Sequence, residues 1–188
     1  PNVINGERLT EGEKVDVIAP HDHQHVIGHF HMADAKTIDK AFDAASAAHK
    51  DWAAASWEDR AAVFLKAAEL LAGPWRDEMN ASTMLGQSKT IHQAEIDASC
   101  ELIDFWRYNV HFARQIYAEQ PESTSTIWNR SDHRPLEGVV AAITPFNFTS
   151  IAANLCTAPA LMGNTVVWKP SSTQAHSANV IMRLLETA

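Results

Sequence analysis

Two short apolar runs, Val139–Ile143 and Thr165–Trp168, stand about twenty residues apart, and the stretch between them, Ile151–Met162, is helix-like. Short runs without polar alternation suit strands buried on both faces. Parallel strands cannot be joined by a tight turn; they need a crossover of a dozen or more residues, usually a helix. The spacing therefore predicts a βαβ unit, entered after Pro135 and Gly138 and turned at Gly163-Asn164. A final amphipathic helix, with Ala178, Ile181, Met182 and Leu185 on one side, is expected to begin after Ser177 and run to Ala188. Two parallel strands with their helices cannot cover both faces of such a sheet, so further chain is expected beyond residue 188.

The first third opens with small β-type stretches, Val3-Ile4, Val15–Ile18 and Val26–Gly28, set off by Gly6, Gly12 and Pro20. Asp34 is placed to cap a helix whose apolar residues Ile38, Ala41, Phe42 and Ala45 share a face. A second helix is expected from Ser56 to Gly73-Pro74, with Val63, Phe64, Ala67, Leu70 and Leu71 inward. The longest periodic segment, from about Ser88 to Ala118, predicts one long helix with Ala94, Ala98, Leu102, Phe105, Phe112 and Ile116 as its stripe. Pro121 closes it. Ser123–Arg130 then reads as an extended strand with Thr124, Thr126 and Trp128 on one face and Ile127 on the other.

Composition removes several functions. With 46% apolar and 20% charged residues the chain has a globular makeup. A net charge of −8 offers no basic surface for a duplex, so nucleic acid is not an expected partner. No apolar run approaches the roughly 20 residues of a membrane helix, and the N-terminus has no signal pattern, so neither membrane nor export is expected. Cys100 and Cys156 lack CxxC spacing and suit free thiols in a reducing compartment. His21, His23, His25, His29 and His31 alternate as on a strand, a pattern shared by a metal site and, more often, a solvated edge.

The segment Ile143-Thr144-Pro145-Phe146-Asn147-Phe148 falls where the first parallel strand ends, the place where open α/β sheets bind ligands. Here the chain resembles the aldehyde dehydrogenase superfamily, which carries a Pro-aromatic-Asn-Phe motif at this point of a cofactor-binding domain lacking GxGxxG. Lys169, in Val166-Val167-Trp168-Lys169-Pro170-Ser171, lies 22 residues after Asn147 and matches that superfamily's adenosine-ribose lysine in context and spacing. Gln93–Asp97, Glu101–Arg107, Arg134–Gly138 and Ala158–Asn164 are similar to its Δ1-pyrroline-5-carboxylate dehydrogenase branch. The likeness runs, less densely, back to Asn5-Gly6.

The resemblance implies an α/β fold: the N-terminal portion of the aldehyde dehydrogenase fold, with small strands and helices leading into an incomplete Rossmann-like parallel sheet. Residues 1–122 would belong to the cofactor-binding domain, 123–135 to a strand of an oligomerisation flap, and 136–188 to the first βαβ of the NAD-binding sheet. It implies NAD-dependent oxidation of L-glutamate γ-semialdehyde to L-glutamate in proline degradation, in a homo-oligomer. The compartment would be cytoplasmic, or the mitochondrial matrix in a eukaryote.

Such oxidation proceeds by thiolate attack on the carbonyl, hydride transfer and thioester hydrolysis, and both covalent steps build an oxyanion. Asn147 matches the superfamily's oxyanion residue, and a neutral amide donor suits the task because it does not titrate. Its plainer reading is a cap on the following helix. The resemblance places Thr144, Pro145, Phe146, Lys169, Ser171 and Ser172 at the cofactor. Many NAD-specific relatives have a glutamate where this chain has Ser172, so nothing at that position repels the 2′-phosphate of NADP. Glu101 and Phe148 resemble residues beside the aldehyde; otherwise Glu101 is a solvated helix residue and Phe148 core packing.

Cys156 lies inside the crossover helix, where a buried apolar role is usual. By resemblance, the nucleophilic cysteine and general-base glutamate come well after Lys169, beyond residue 188, so this chain alone is expected to be inactive. Two other readings stand beside this one: an aldehyde dehydrogenase of different substrate, and a non-catalytic cofactor-binding or interaction module.

Overall fold

The computed structural model describes residues 1–188. Its first strands, β1 (Asn2–Ile4) and β2 (Glu7–Leu9), form an antiparallel hairpin. Asn5 and Gly6 both take positive φ, 50° and 78°, as a tight hairpin turn requires. A second hairpin pairs β3 (Lys14–Ala19) with β4 (Asp22–His31) from Lys14↔His31 to Ala19↔Asp22, with register shifts on either side of Ile18. β4 is longer than the apolar Val26–Gly28 suggests, because its first half faces solvent and need not be apolar. Its histidines do not converge into a group able to hold a metal; His29 instead pairs with Asp16 at 2.8 Å.

Helix α1 (Ala35–Ala54) starts at Asp34, whose carboxylate accepts from the Thr37 amide at 2.8 Å. Ile38 and Phe42 on its apolar face remain partly exposed. Helix α2 (Trp57–Ala72) is capped by Ser56 and ends at Gly73. Both starts follow local capping signals. The next helix, α3 (Arg76–Gln87), has no apolar period to announce it. Apart from Met79, its buried residues are Asn80, Ser82, Thr83 and Gly86, polar or small.

The long helix is not continuous. It begins as α4 (Ile91–Ala94) under a Thr90/Gln93 capping box, widens into a π-helical segment at Glu95–Cys100, and resumes as α5 (Glu101–Ala118). A π segment takes in an extra residue and rotates the helix beyond it. Leu102, Ile103, Trp106 and Ala113 are buried, whereas Phe112 and Ile116 of the expected stripe are about half exposed.

Ser123–Arg130 forms no strand, contrary to the sequence expectation. The Thr124 amide donates to the Ile127 carbonyl at 2.8 Å, Thr124 Oγ1 accepts from the Ile127 amide, and Ser123 Oγ accepts from the Asn129 amide. With no strand edge beside it, the segment satisfies its backbone through a turn and short side chains.

The βαβ unit is present. β5 (Val140–Ile143) and β6 (Val166–Lys169) are parallel, joined by α6 (Thr149–Leu161). A 3-10 turn at Ser172–Gln174 leads into α7 (Ala175–Thr187), which starts two residues before the Ser177 of the sequence reading. Helices α2, α3, α5, α6 and α7 share one core, which includes Phe64, Leu71, Met79, Trp106, Leu161 and Ile181. The buried Arg60 secures the end of α6 by donating to the Leu161 carbonyl at 3.0 Å, and also bonds the Tyr117 hydroxyl. Asn164 donates to the Pro159 carbonyl and accepts from the Leu136 amide, so the turn into β6 is tied to the same helix end.

Candidate active site

The site is built where β5 and β6 end together. In the parallel register Ile143 faces Lys169, and the Thr144 amide still donates to the Lys169 carbonyl. The Thr144 side chain is buried and accepts from the Trp168 indole at 2.9 Å, so it braces the sheet edge while the chain beyond it turns outward. Phe146 and Asn147 are exposed. Lys169 is also exposed and has no carboxylate partner. Ser172 is exposed at the start of the 3-10 turn, and Ser171 shares a hydrogen bond with Thr173.

Asn147 does not cap α6. The capping position is Phe148, which makes no side-chain cap bond, and the Asn147 amide has no hydrogen-bond partner within the chain. Its donors are left available at the surface of the loop. Phe148 is half-buried, with the Lys89 ammonium 4.3 Å from its ring centroid.

Glu101 is not a freely solvated helix residue. At the first position after the π segment, its carboxylate accepts from Ser150 near the start of α6. It lines an open groove of about 580 Å³ with Phe105, Tyr108, Phe112 and two asparagines, Asn109 and Asn154, which bond each other at 2.8 Å. The groove joins one carboxylate to aromatic walls and amide groups.

Other polar residues fix these parts. Arg76 and Asn80 both donate to Glu95, and Asn80 accepts from Ser99. The Arg76 guanidinium holds the Glu95 carboxyl below its usual range, burial opposes this, and Asn80 adds to the lowering. Gln87 accepts from Thr149 and Ser177 and donates to the Phe146 carbonyl. Gln87, Lys89 and Ser150 carry no signal in the sequence that would place them here. Fifty-nine residues separate Gln87 from Phe146, a distance that no periodicity reports.

Neither thiol is an activated nucleophile. Burial pushes the Cys156 thiol up to about 12, and its Sγ donates to the Ala153 carbonyl. Burial first, then the neighbouring Glu95 carboxylate, also raises Cys100. The thiolate is the reactive form, so native Cys156 is expected to resist iodoacetamide at about pH 8 and to react once the protein is denatured. Rapid native alkylation at Cys156, located by peptide mass, would contradict this burial. The folded value lies above the ordinary 9.0; the thiol's contribution to stability is therefore complete below that value and is lost as pH rises towards 12.

A parallel βαβ edge with an exposed amide and an exposed lysine at the same end of its strands makes this an α/β protein. The match to known proteins agrees: the aldehyde dehydrogenase family model matches residues 8–188, and the chain belongs to that family. It is 48% identical over 188 residues to the mitochondrial delta-1-pyrroline-5-carboxylate dehydrogenase of Mus musculus, covering all of this chain and 34% of the relative. It is 44% identical to the probable delta-1-pyrroline-5-carboxylate dehydrogenase of Schizosaccharomyces pombe, again covering 34% of the relative. The chain thus spans about a third of the length of these curated relatives. The crystal structure of the Mycobacterium tuberculosis Delta-pyrroline-5-carboxylate dehydrogenase bound with NAD superposes with a TM-score of 0.97 at 60% identity, over all of this chain and 35% of that one. A Thermus 1-pyrroline-5-carboxylate dehydrogenase with bound NAD gives 0.89 at 27% identity, over 98% of this chain and 36% of that one.

Proposed function

We propose that this chain supplies the oxyanion donor and part of the cofactor edge of an NAD-dependent dehydrogenase that oxidises L-glutamate γ-semialdehyde to L-glutamate. The observation that carries the reading is that the Asn147 loop and Lys169 emerge at the same end of two paired parallel strands. The relatives' names, delta-1-pyrroline-5-carboxylate dehydrogenase, support this substrate, since the semialdehyde is the open form of pyrroline-5-carboxylate, and two neighbouring structures with bound NAD support the cofactor.

The exposed, unpaired Lys169 fits a ribose, to which an ammonium can offer several donors. Ser171 and Ser172 stand beside it, and the backbone of Thr144, Pro145 and Phe146 lines the approach. NAD, when bound, supplies the hydride acceptor. Asn147 presents its amide to the oxygen that gains charge as the carbonyl is attacked. Glu101 and Phe148 flank the aldehyde. Cys100 and Cys156 do not serve as the nucleophile, which this reading assigns to a thiol elsewhere in the protein.

Trp128 and Ile127 are strongly exposed, which fits a role for residues 123–135 in subunit contact within a homo-oligomer. No helix is long and apolar enough to cross a membrane. The two free cysteines fit a reducing compartment, cytoplasmic in this reading, although the mouse relative is named as mitochondrial.

The direct test is NADH formation by the whole protein with L-glutamate γ-semialdehyde and with an aliphatic aldehyde of similar length. A kcat/KM at least about 100-fold higher for the semialdehyde is expected, as for a site whose polar groups pair with the substrate. Equal use of both would assign a different substrate. No NADH from either would favour a cofactor-binding or interaction module.

A further inference from the structure

Asn147 is the group assigned to the transition state, yet its side chain is exposed and bonded to nothing in the chain. Its position must be inherited from its neighbours in sequence, and both are held by one corner of the fold, the junction of α3 and α4. On one side Gln87 Nε2 donates to the Phe146 carbonyl at 3.0 Å. On the other, Lys89 Nζ lies 4.3 Å from the centroid of the Phe148 ring. Ser88, between them, takes a left-handed conformation with φ 53°, which ends α3 and turns the chain towards α4.

Both holding groups are themselves fixed. Gln87 Oε1 accepts from Thr149 Oγ1 at 2.9 Å and Ser177 Oγ at 3.1 Å, and Thr149 also bonds the buried Thr83. Those contacts leave the Gln87 NH₂ aimed at the loop. Lys89 is paired with Asp97 of the π segment at 2.5 Å, with both side chains largely shielded from water. A shielded ammonium over an aromatic face is attracted by the ring and resists its rotation.

We infer that Gln87 and Lys89 are positioning residues that set where the Asn147 amide points, by clamping the residues before and after it. The inference rests on the oxyanion reading of Asn147. A donor in an oxyanion hole is effective only when preorganised, and small displacements of a reacting group are costly in rate. Loosening either side of the clamp therefore lowers kcat through Asn147; because Phe146 also lines the cofactor approach and Phe148 flanks the aldehyde in this reading, affinities shift as well, but by less than kcat falls.

The experiment is a double-mutant cycle on the whole protein, with L-glutamate γ-semialdehyde and NAD as probes. Gln87→Glu keeps an oxygen for Thr149 and Ser177 but replaces the donor to Phe146; Lys89→Met removes the cation, and Lys89→Arg restores it. Gln87→Glu and Lys89→Met are each expected to lower kcat about tenfold, with a smaller rise, about threefold or less, in aldehyde KM, and Lys89→Arg to recover most of the loss. In an Asn147→Ala background, the same Gln87→Glu change should lower kcat by less than about twofold, because the group it positions is gone. A far-ultraviolet circular dichroism spectrum like that of the unsubstituted protein identifies variants that have folded, and the milder Gln87→Glu and Lys89→Arg keep the cycle readable if Lys89→Met does not fold. If Asn147→Ala keeps its large loss while Gln87→Glu multiplies through it undiminished, the clamp is overturned and the oxyanion reading stands. A fall in thermal midpoint with kcat unchanged overturns the clamp too. Full kcat in Asn147→Ala overturns the oxyanion reading, and the clamp with it.

Discussion

Replacing Asn147 by alanine in the whole protein is expected to lower kcat by about 100-fold or more while NAD affinity stays within about twofold. The amide is exposed, bonds nothing in the chain and does not cap α6, so its removal breaks no hydrogen bond or helix-end contact. On the proposed oxyanion role, its loss is felt where negative charge develops on the aldehyde oxygen. Lys169→Ala should behave in the opposite way. The lysine ends β6, and its exposed ammonium would be lost from the ground-state complex, so the KM and Kd for NAD should rise more than kcat falls. Steady-state kinetics with both substrates varied, together with NAD titration, separates the two. An Asn147 variant that binds NAD poorly at undiminished kcat, or a Lys169 variant with the reverse pattern, would show that these roles are wrongly divided.

Trp106→Ala should destabilise the fold by about 4 kcal/mol, within the usual cost of truncating a buried tryptophan. Trp106 is 1% exposed, belongs to the core joining α2, α5, α6 and α7, and donates from its indole to Thr157 Oγ1 at 3.0 Å. The cavity term dominates this prediction, and Trp106→Phe isolates the remainder. Phenylalanine keeps most of the apolar contact, and Thr157 can still donate to the Ala153 carbonyl, so a cost of only about 1–2 kcal/mol is expected. Denaturant unfolding of the intact protein, with far-ultraviolet circular dichroism as the signal, measures both. A Trp106→Ala loss below about 1 kcal/mol would mean that the helices are not held together at this residue.

The features legible in the sequence are local ones. Asp34 and Ser56 announce α1 and α2 because a cap and the amide it serves lie three residues apart. The βαβ unit is legible because its strands are short runs of apolar residues, the second ending in Lys169, and its crossover has a minimum length. Helix α3 escapes such a reading because the face it buries is mostly hydroxyl, amide and glycine, so burial leaves no hydrophobic period. The extended reading of Ser123–Arg130 rests on β-branched composition, which records a preference for a sheet without showing that a neighbouring edge exists. At the site, Asn147, Phe148 and Lys169 stand in one motif or at a recognisable spacing from it. Gln87 and Lys89 reach the same loop only through the folded chain, and the Glu101–Ser150 pair joins residues 49 apart.

The π segment at Glu95–Cys100 works as a phase shifter between two helices that could not otherwise both be in step. Before it, Ala94 must face inward; after it, Leu102 and Trp106 must face the core while Glu101 meets Ser150. Each residue of an α-helix advances the direction of its side chains by about 100°. Losing one residue here would restore regular winding and put one half out of phase: either Glu101 swings away from Ser150 or Ala94 turns from the interior. Substitution within the segment is constrained residue by residue, through Glu95 with Arg76, Asp97 with Lys89, and Ser99 with Asn80. Its length is constrained as a whole. Sequence change can therefore enter this stretch by exchange of side chains far more readily than by gain or loss of a position.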